Sequence, residues 1–589
     1  MISTDDHTPL APKASKLRSR LVTLLISTAV AMLVLLVVLS FFVPDSASEE
    51  NKPQRPNIIF ILADDLGWND VGFHGSNQLS TPNIDALAYS GTILNDYYVS
   101  PLCTPSRSAL MTGKHPIHTG MQHEVIYGFE PWGLGLEEKL LPEYLKELQY
   151  STHLVGKWHL GHFKEEYTPT YRGFDSHFGF WTGHQDYYDH YAEENPGFWG
   201  FDMRRDMNVS RDTVGQYTTT VLTEEAVKLI ENHDTSNPMF LMFAHAAPHA
   251  GNPSIPLQAP DDVVAMFDVE NIPDARRQKY AAMVWLLDQS VGEVMRALKN
   301  RNMLENSIVI FSSDNGGAAA NYNRNVASNW PLRGGKDTIW EGGVKAAAFI
   351  WSPLLNEARR VFTEICSIQD WLPTLVEAVG GPKVPGIDGK NIWPALHNSK
   401  QKTYDEILIQ IDDARNISAI RYKNYKYLSG TTWGGIYDVS LGAEGRKGEY
   451  DLQAVQNSRA AKVIKETRWP LPSTSAIENL RGKATVNCEK DDDELICKPS
   501  KGEECLFDLS VDPCESINLA PSNPRIVTRL KYLLQLHNES AVEPRNAPRD
   551  PLSNPKFWDY VWTNWLDYPA PPHLDSQLVF PDTRDMDIL

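Results

Sequence analysis

The chain has 589 residues, too many for one compact core, so two domains are the default expectation. Its hydrophobic content of 42% is that of a globular protein, and a net charge of −20 excludes a nucleic-acid or polyanion binder that works by bulk attraction. An anionic substrate must therefore be held by a local cluster of cations or by a metal ion.

Residues 21–43 are apolar and uncharged, preceded by Lys13, Lys16, Arg18 and Arg20 and followed by Asp45, Glu49 and Glu50. The run is long enough to span a bilayer and exceeds the ~7 to 15 residues of a signal-peptide core. Residues 1–20 then read as a cytoplasmic tail, 21–43 as an uncleaved signal anchor and 44–55 as a Pro-, Ser- and Glu-rich stalk. The basic flank stays inside, which makes a type II membrane protein of the secretory pathway with the rest lumenal or extracellular. The rival is a signal peptide cut near Ser46-Ala47-Ser48, giving a lysosomal or secreted product. Glycosylation sequons at Asn208, Asn416 and Asn538 fit an exported chain.

Asn57-Ile58-Ile59-Phe60-Ile61-Leu62 is a continuous apolar run of the kind a strand buried on both faces shows, and it ends abruptly in Ala63-Asp64-Asp65. Two adjacent carboxylates repel each other unless a cation sits between them. Thr81 and Pro82 open a short helix that stops at Gly91. Next comes Cys103-Thr104-Pro105-Ser106-Arg107, where Pro105 suits the first turn of a helix and Gly113 its end. A strand at 152–155 runs into Gly156-Lys157-Trp158-His159-Leu160-Gly161, where Lys157 and His159 lie two apart and can face one ligand. Residues 162–208 are rich in aromatics and glycine without a sustained period, and read as an extended loop region that could rim a pocket.

A helix through Val221 and Ile230 precedes the strand 239–243, which leads to Ala247-Pro248-His249; His245 beside that strand reads as a core or supporting residue. The amphipathic run 275–298 precedes the strand 307–311, which ends in the second acidic turn, Asp314-Asn315-Gly316-Gly317. Lys336 follows in a glycine-rich segment before a strand at 346–351. Helices alternating with short apolar strands predict an α/β fold with a mainly parallel sheet and helices on both faces. In such sheets ligands collect beyond the carboxyl ends of the strands, where the acidic pairs, Lys157, His159 and His249 all fall.

After a helix near 371–375 the pattern changes: 406–411 and 420–428 read as antiparallel strands of a smaller α+β domain at 400–550, after a first domain at 56–395. The Pro- and Trp-rich tail at 551–589 has no readable task. Cys488, Cys497, Cys505 and Cys514 lack a C-x-x-C hook and an interleaved His, which favours two disulfides over zinc, with three connectivities open. Cys366 then reads as a buried free thiol, the rival being a Cys103 to Cys366 disulfide.

Asp64, Asp65, Asp314 and Asn315 form an all-oxygen set that suits calcium or magnesium over zinc. Arg107, Lys157, Lys336, His159 and His249 supply a local positive field fit for a small tetrahedral oxyanion.

Cys-x-Pro-Ser-Arg followed by Leu110-Met111-Thr112-Gly113-Lys114 resembles the signature of the sulfatase family, with Lys114 where the family more often has Arg. With Asp64-Asp65-Leu66-Gly67, Gly156-Lys157-Trp158-His159, Asp314-Asn315-Gly316-Gly317 and the Lys336 segment, the chain is most similar to the arylsulfatase B group, from which its Cys pattern departs. That resemblance implies an alkaline-phosphatase-like fold, Cys103 oxidised to formylglycine by the formylglycine-generating enzyme, and one calcium held by Asp64, Asp65, Asp314, Asn315 and residue 103. It also implies a hydrated aldehyde as nucleophile, Arg107 and His159 acting on that diol, Lys157 and Lys336 binding sulfate, and His249 protonating the leaving oxygen. The implied substrates are N-acetylgalactosamine 4-sulfate esters of glycosaminoglycans. The alternatives are other carbohydrate or aryl sulfates, a related phosphatase, or an inactive membrane-anchored binding protein.

Overall fold

Every residue of Asn57–Ala63 is buried, so this strand can be satisfied only with neighbours on both edges and cover on both faces. The computed structural model, which describes residues 13–42, 55–267, 269–439, 441–488 and 496–570, supplies all four. In chain order the strands of the large sheet are β1 (Asn57–Ala63), β2 (Thr92–Leu94), β3 (Ser151–Lys157), β4 (Ser176–Phe180), β5 (Arg204–Arg205), β6 (Asn208–Val209), β7 (Met239–Ala244), β8 (Ser307–Ser313), β9 (Ala348–Trp351) and β10 (Arg360–Phe362). Their spatial order is β10-β2-β9-β8-β1-β7-β3-β4-β5-β6. The central five, β8 to β4, are mutually parallel, whereas β9 and β5 on either side run antiparallel to them.

Side chains alternate along β1 between two cores. Ile59, Ile61 and Ala63 pack with the helices Pro82–Ser90, Thr218–Glu231 and Ala275–Asn300, and Ile58, Phe60 and Leu62 with the helices Cys103–Thr112 and Trp371–Ala378. Truncating Phe60 to Ala would cost about 3–5 kcal/mol. This double cover leaves the strand ends as the place where polar groups can gather.

A second sheet is antiparallel throughout, in the order β11 (Glu406–Asp412), β12 (Ile417–Tyr422), β13 (Tyr425–Ser429) and β14 (Cys505–Asp508). One face packs on the helix Pro524–Asn538. The other meets Tyr98, Ile339, Trp340 and Val344, which brings its loops toward the segment that carries Lys336.

The described residues from 55 to 570 fall in one compact unit and residues 13–42 in another. In the latter, the helix Lys13–Phe42 contains the apolar span Leu17–Val38, whose side chains are exposed. Residues 1–12 of the expected tail at 1–20, residues 44–54 of the expected stalk at 44–55, and residues 571–589 of the expected tail at 551–589 lie outside the described residues.

Two expectations need correction. Residues 162–208 contain β4 and the hairpin Tyr191–Asn195 with Phe198–Phe201; polar Ser176 and His177 and the glycine at 179 break the apolar run that would have marked β4. The stretch 420–428 is the hairpin of β12 and β13, turned at Lys423, whose φ is 54°. Cys366 is buried and free as expected, in the short strand Cys366–Ser367 ahead of the helix; Cys103 is also free, so the rival disulfide is not formed. The other four cysteines pair as Cys488 with Cys514 and Cys497 with Cys505.

Candidate active site

All the catalytic candidates but Lys336, which lies in a turn ahead of the short helix Glu341–Val344, arrive at a strand end or on a helix. β1 releases Asp64 and then Asp65, whose φ of 65° turns the chain sharply enough to aim both carboxylates at one point. β8 delivers Asp314 and Asn315, β3 ends on Lys157 with His159 two residues on, and β7 leads to His249. The ten-residue helix that begins at Cys103 places Arg107 one turn later on the same face, and Gly113, at φ 67°, closes it.

The Cys103 thiol donates to Asp64 Oδ1 at 3.4 Å. Arg107 donates twice to Asp314 Oδ2, at 3.1 and 2.9 Å, once to Asp64 Oδ2 at 3.3 Å and once to the Lys157 carbonyl at 3.0 Å. Lys157 also pairs with Asp64, and the Lys336 ammonium lies 2.7 Å from Asp65 Oδ1. The Asn315 amide donates to Asp65 Oδ1 at 2.7 Å, and His249 Nε2 stands 3.5 Å from Asp65 Oδ2. All of these side chains are buried.

Three carboxylates, on Asp64, Asp65 and Asp314, thus face three cations, on Arg107, Lys157 and Lys336. Burial alone would push the Asp64 carboxyl up, but Lys157, His249 and Arg107 together hold it well below the usual range. Burial prevails at Asp65, raised despite Lys336, and at Asp314, pushed up to about 6 with Asp64 adding to the effect. It also pushes the Cys103 thiol up, and Asp64 reinforces it. His159 is held well below its ordinary value by burial and by Lys157 and Arg107, and His249 by burial and Lys336.

His159 Nε2 meets the Ile126 carbonyl at 2.9 Å. A carbonyl only accepts, so Nε2 carries the hydrogen and Nδ1, buried and without a hydrogen-bond partner among the described residues, is a bare lone pair. Gly183 leaves this ring its room: a Cβ there would come within 2.9 Å of it. His249 donates through Nδ1 to the Ala250 carbonyl at 2.6 Å, which leaves its Nε2 facing the acid pair.

Two observations test whether these residues suit a divalent cation. Donor atoms of Asp64, Asp65, Cys103 and His249 all lie within 4.8 Å of one another. Asn315 Oδ1 is buried with no hydrogen-bond partner among the described residues, beside carboxylates that already have theirs. The donor set is oxygen-rich and suits a hard ion. With charges otherwise balanced, a dication would give the site the positive excess an incoming oxyanion needs.

A sequence model of the family described as Sulfatase matches residues 56–381, which hold every one of these groups. The chain belongs to the sulfatase family. This sulfatase, a sulfuric ester hydrolase, is 38% identical over 514 residues to arylsulfatase J of Mus musculus, covering 87% of this chain and 80% of that protein. It is 33% identical over 359 residues to N-acetylgalactosamine-6-sulfatase of Homo sapiens, covering 58% of this chain and 66% of that one. Among solved structures it resembles Ps i-CgsB in complex with k-i-k-neocarrahexaose, with a TM-score of 0.64 and 29% identity over 84% of this chain and 94% of that one. The alkaline-phosphatase-like architecture expected of the family is the one described above.

All the site residues expected from the sequence of this sulfatase converge. His245 does not join them: its Nε2 pairs with Ser290 Oγ at 3.0 Å in the core, where burial lowers its pKa to about 3. Missing from the expectation is His184, half-buried, its ring stacked on His249 with centroids 6.1 Å apart. It follows the carboxyl end of β4, so recognising that strand would have found it.

Proposed function

We propose that this sulfatase hydrolyses sulfate esters of N-acetylgalactosamine in glycosaminoglycans, with Cys103 converted to formylglycine and one calcium held by Asp64, Asp65, Asp314, Asn315 and residue 103. The observation that carries the reading is the Cys103 thiol at a helix start, against Asp64 and within the ring of Arg107, Lys157 and Lys336. A formylglycine supplies a hydrated aldehyde, whose two hydroxyls let the enzyme both attack sulfur and shed the covalent sulfate. Calcium supplies positive charge for the sulfate oxygens.

The chain's own groups do the rest. Arg107, fixed on Asp314 and on the Lys157 carbonyl, holds residue 103 and the acids in register. Lys157 and Lys336 turn their ammonium groups to the sulfate oxygens. His159 takes a proton on the bare Nδ1 while the Ile126 carbonyl keeps the ring oriented. To protonate the leaving oxygen, His249 must first gain a proton on Nε2, which burial and Lys336 oppose and Asp64 favours.

The support for position 4 of the sugar is the resemblance of the sequence motifs to the arylsulfatase B group; position 6 is the second reading, favoured by the similarity to an N-acetylgalactosamine-6-sulfatase. We place the enzyme in the secretory pathway as a type II membrane protein, matured by the formylglycine-generating enzyme and glycosylated at Asn208, Asn416 and Asn538, all exposed. Mass spectrometry of the peptide containing residue 103 from native material tests the modification: an intact thiol throughout an active preparation would sink it. Metal analysis before and after chelation, with the melting temperature read in parallel, tests the ion: calcium should leave and the melting temperature fall.

A further inference from the structure

Two loops that carry groups of the site each hand a carboxylate to the same guanidinium. Glu124 lies two residues before Ile126, whose carbonyl orients His159 and whose N–H donates to Thr104 Oγ1 at 3.2 Å, next to Cys103. Asp337 directly follows Lys336, and its N–H donates to the Pro101 carbonyl at 2.8 Å, two residues before Cys103. Arg415, from the turn between β11 and β12, bridges them: it pairs with Glu124 and donates to Asp337 Oδ1 at 2.6 Å. The second sheet therefore reaches across both walls of the site.

On the outer side of this bridge stands Trp433. Lys336 and Asp337 are buried, whereas Trp433 is 38% exposed. Its indole N–H donates to Asp337 Oδ2 at 2.7 Å, the neighbouring Thr432 hydroxyl donates to the Asp337 carbonyl at 2.6 Å, and the rings of Tyr322 and Tyr437 pack perpendicular to it at 6.1 and 6.4 Å. The backbone of Trp433 has φ 51°, a conformation a bulky residue adopts only when its surroundings hold it there. The result is a rigidly held indole, partly open to solvent, beside the partly buried Arg415 and Glu124. One guanidinium against two carboxylates leaves a negative excess, so this rim does not recruit a second anion.

We propose that Trp433, Arg415 and Glu124 form the subsite for the pyranose ring that bears the scissile sulfate. The apolar C–H face of the ring stacks on the indole, and its hydroxyls bond to Glu124 and Arg415. The ring carries no other charged group. This inference rests on the sulfatase reading of the Cys103 centre and adds the part of the substrate that distinguishes a sugar from a simple aryl ester.

The test compares kcat/KM for N-acetylgalactosamine 4-sulfate and 6-sulfate with that for 4-methylumbelliferyl sulfate, in wild type, Trp433→Ala and Trp433→Phe. In Trp433→Ala the sugar-to-aryl ratio should fall at least tenfold, through KM, and Trp433→Phe should restore it to within threefold. An unchanged ratio overturns the proposal, as does wild-type turnover of the aryl ester with neither sugar. Absence of turnover of all three esters in wild type instead sinks the underlying reading. A glycan on Asn416, in the same turn as Arg415, is the competing occupant of the indole face. If Asn416→Gln and Trp433→Ala lower the melting temperature equally and leave the ratio alone, the glycan is the occupant and the subsite falls.

Discussion

At the carboxyl ends of the large sheet Asp64, Asp65 and Asp314 face Arg107, Lys157 and Lys336; beneath the second sheet Asp96, Glu341 and Glu515 face Lys345, Arg421 and Lys426. Both sets balance three charges against three in a largely dry environment. Their difference is in what surrounds the ions. Arg421 donates to Tyr98 Oη at 2.7 Å, to Asp96 at 3.1 Å and to the Lys423 carbonyl at 2.8 Å, and Lys426 bridges Glu341 at 3.0 Å and Glu515 at 2.7 Å. The strand-end set instead includes a thiol, two imidazoles, a bare His159 Nδ1 and an unpaired Asn315 oxygen. Buried charge alone therefore does not mark a reactive site; buried charge with acceptors and a nucleophile held in reserve does.

The sharpest way to break this contrast is Cys103→Ala. Sulfate-ester hydrolysis should fall at least about a thousandfold while the melting temperature moves by no more than a few degrees. Equal turnover by the variant would remove the nucleophile from the argument. Next is His159→Asn, which should lower kcat by about 10²-fold or more with little change in KM, as read from full saturation curves. In the other cluster the signature inverts. Lys426→Met leaves Glu341 and Glu515 facing each other, so stability should drop by about 3–5 kcal/mol in denaturant unfolding while kcat/KM of the folded fraction stays near wild type. Loss of activity without loss of stability would erase the distinction between the two sets.

The smallest effect is a pH dependence set outside both clusters. Burial raises Glu130 and Glu194 to about 7 and Asp288 to about 8. These groups hold protons in the native state that the unfolded chain releases, so their contribution to stability falls as pH rises from about 4 to 8. Burial lowers His74, His162 and His245 to about 3, so theirs is full above pH 6.5 and is lost as pH falls from there toward 3. Only the carboxyls act above 6.5, and the melting temperature should climb from pH 8 to 6.5 and then level off. A melting temperature that falls over that first interval would contradict these protonation states.

The strand-end acids were legible in the sequence because β1 is an unbroken apolar run that stops at two carboxylates, and Lys157, His159 and His249 because each also follows an apolar strand. The Cys103 signature rested on resemblance. What stayed hidden depends on tertiary closure. His184 follows a strand whose first residues are polar. Arg415 meets Glu124 across a sequence separation of 291, with no periodicity to announce it. The disulfide pairing was one of three possibilities until the chain path placed Cys488 beside Cys514.

The seclusion of Cys103, only 2% exposed and clamped between a helix start and Asp64, has a consequence for biogenesis. No second protein can close its own catalytic groups around a sulfur atom walled in by the finished fold. The conversion proposed for Cys103 therefore requires that its modifying enzyme meet the side chain on a nascent, still-extended polypeptide, in a race with the collapse of the sheet. Slowing that collapse in a cell-free translation extract should raise the share of converted chains, and molecules that win the race unmodified stay blank for good.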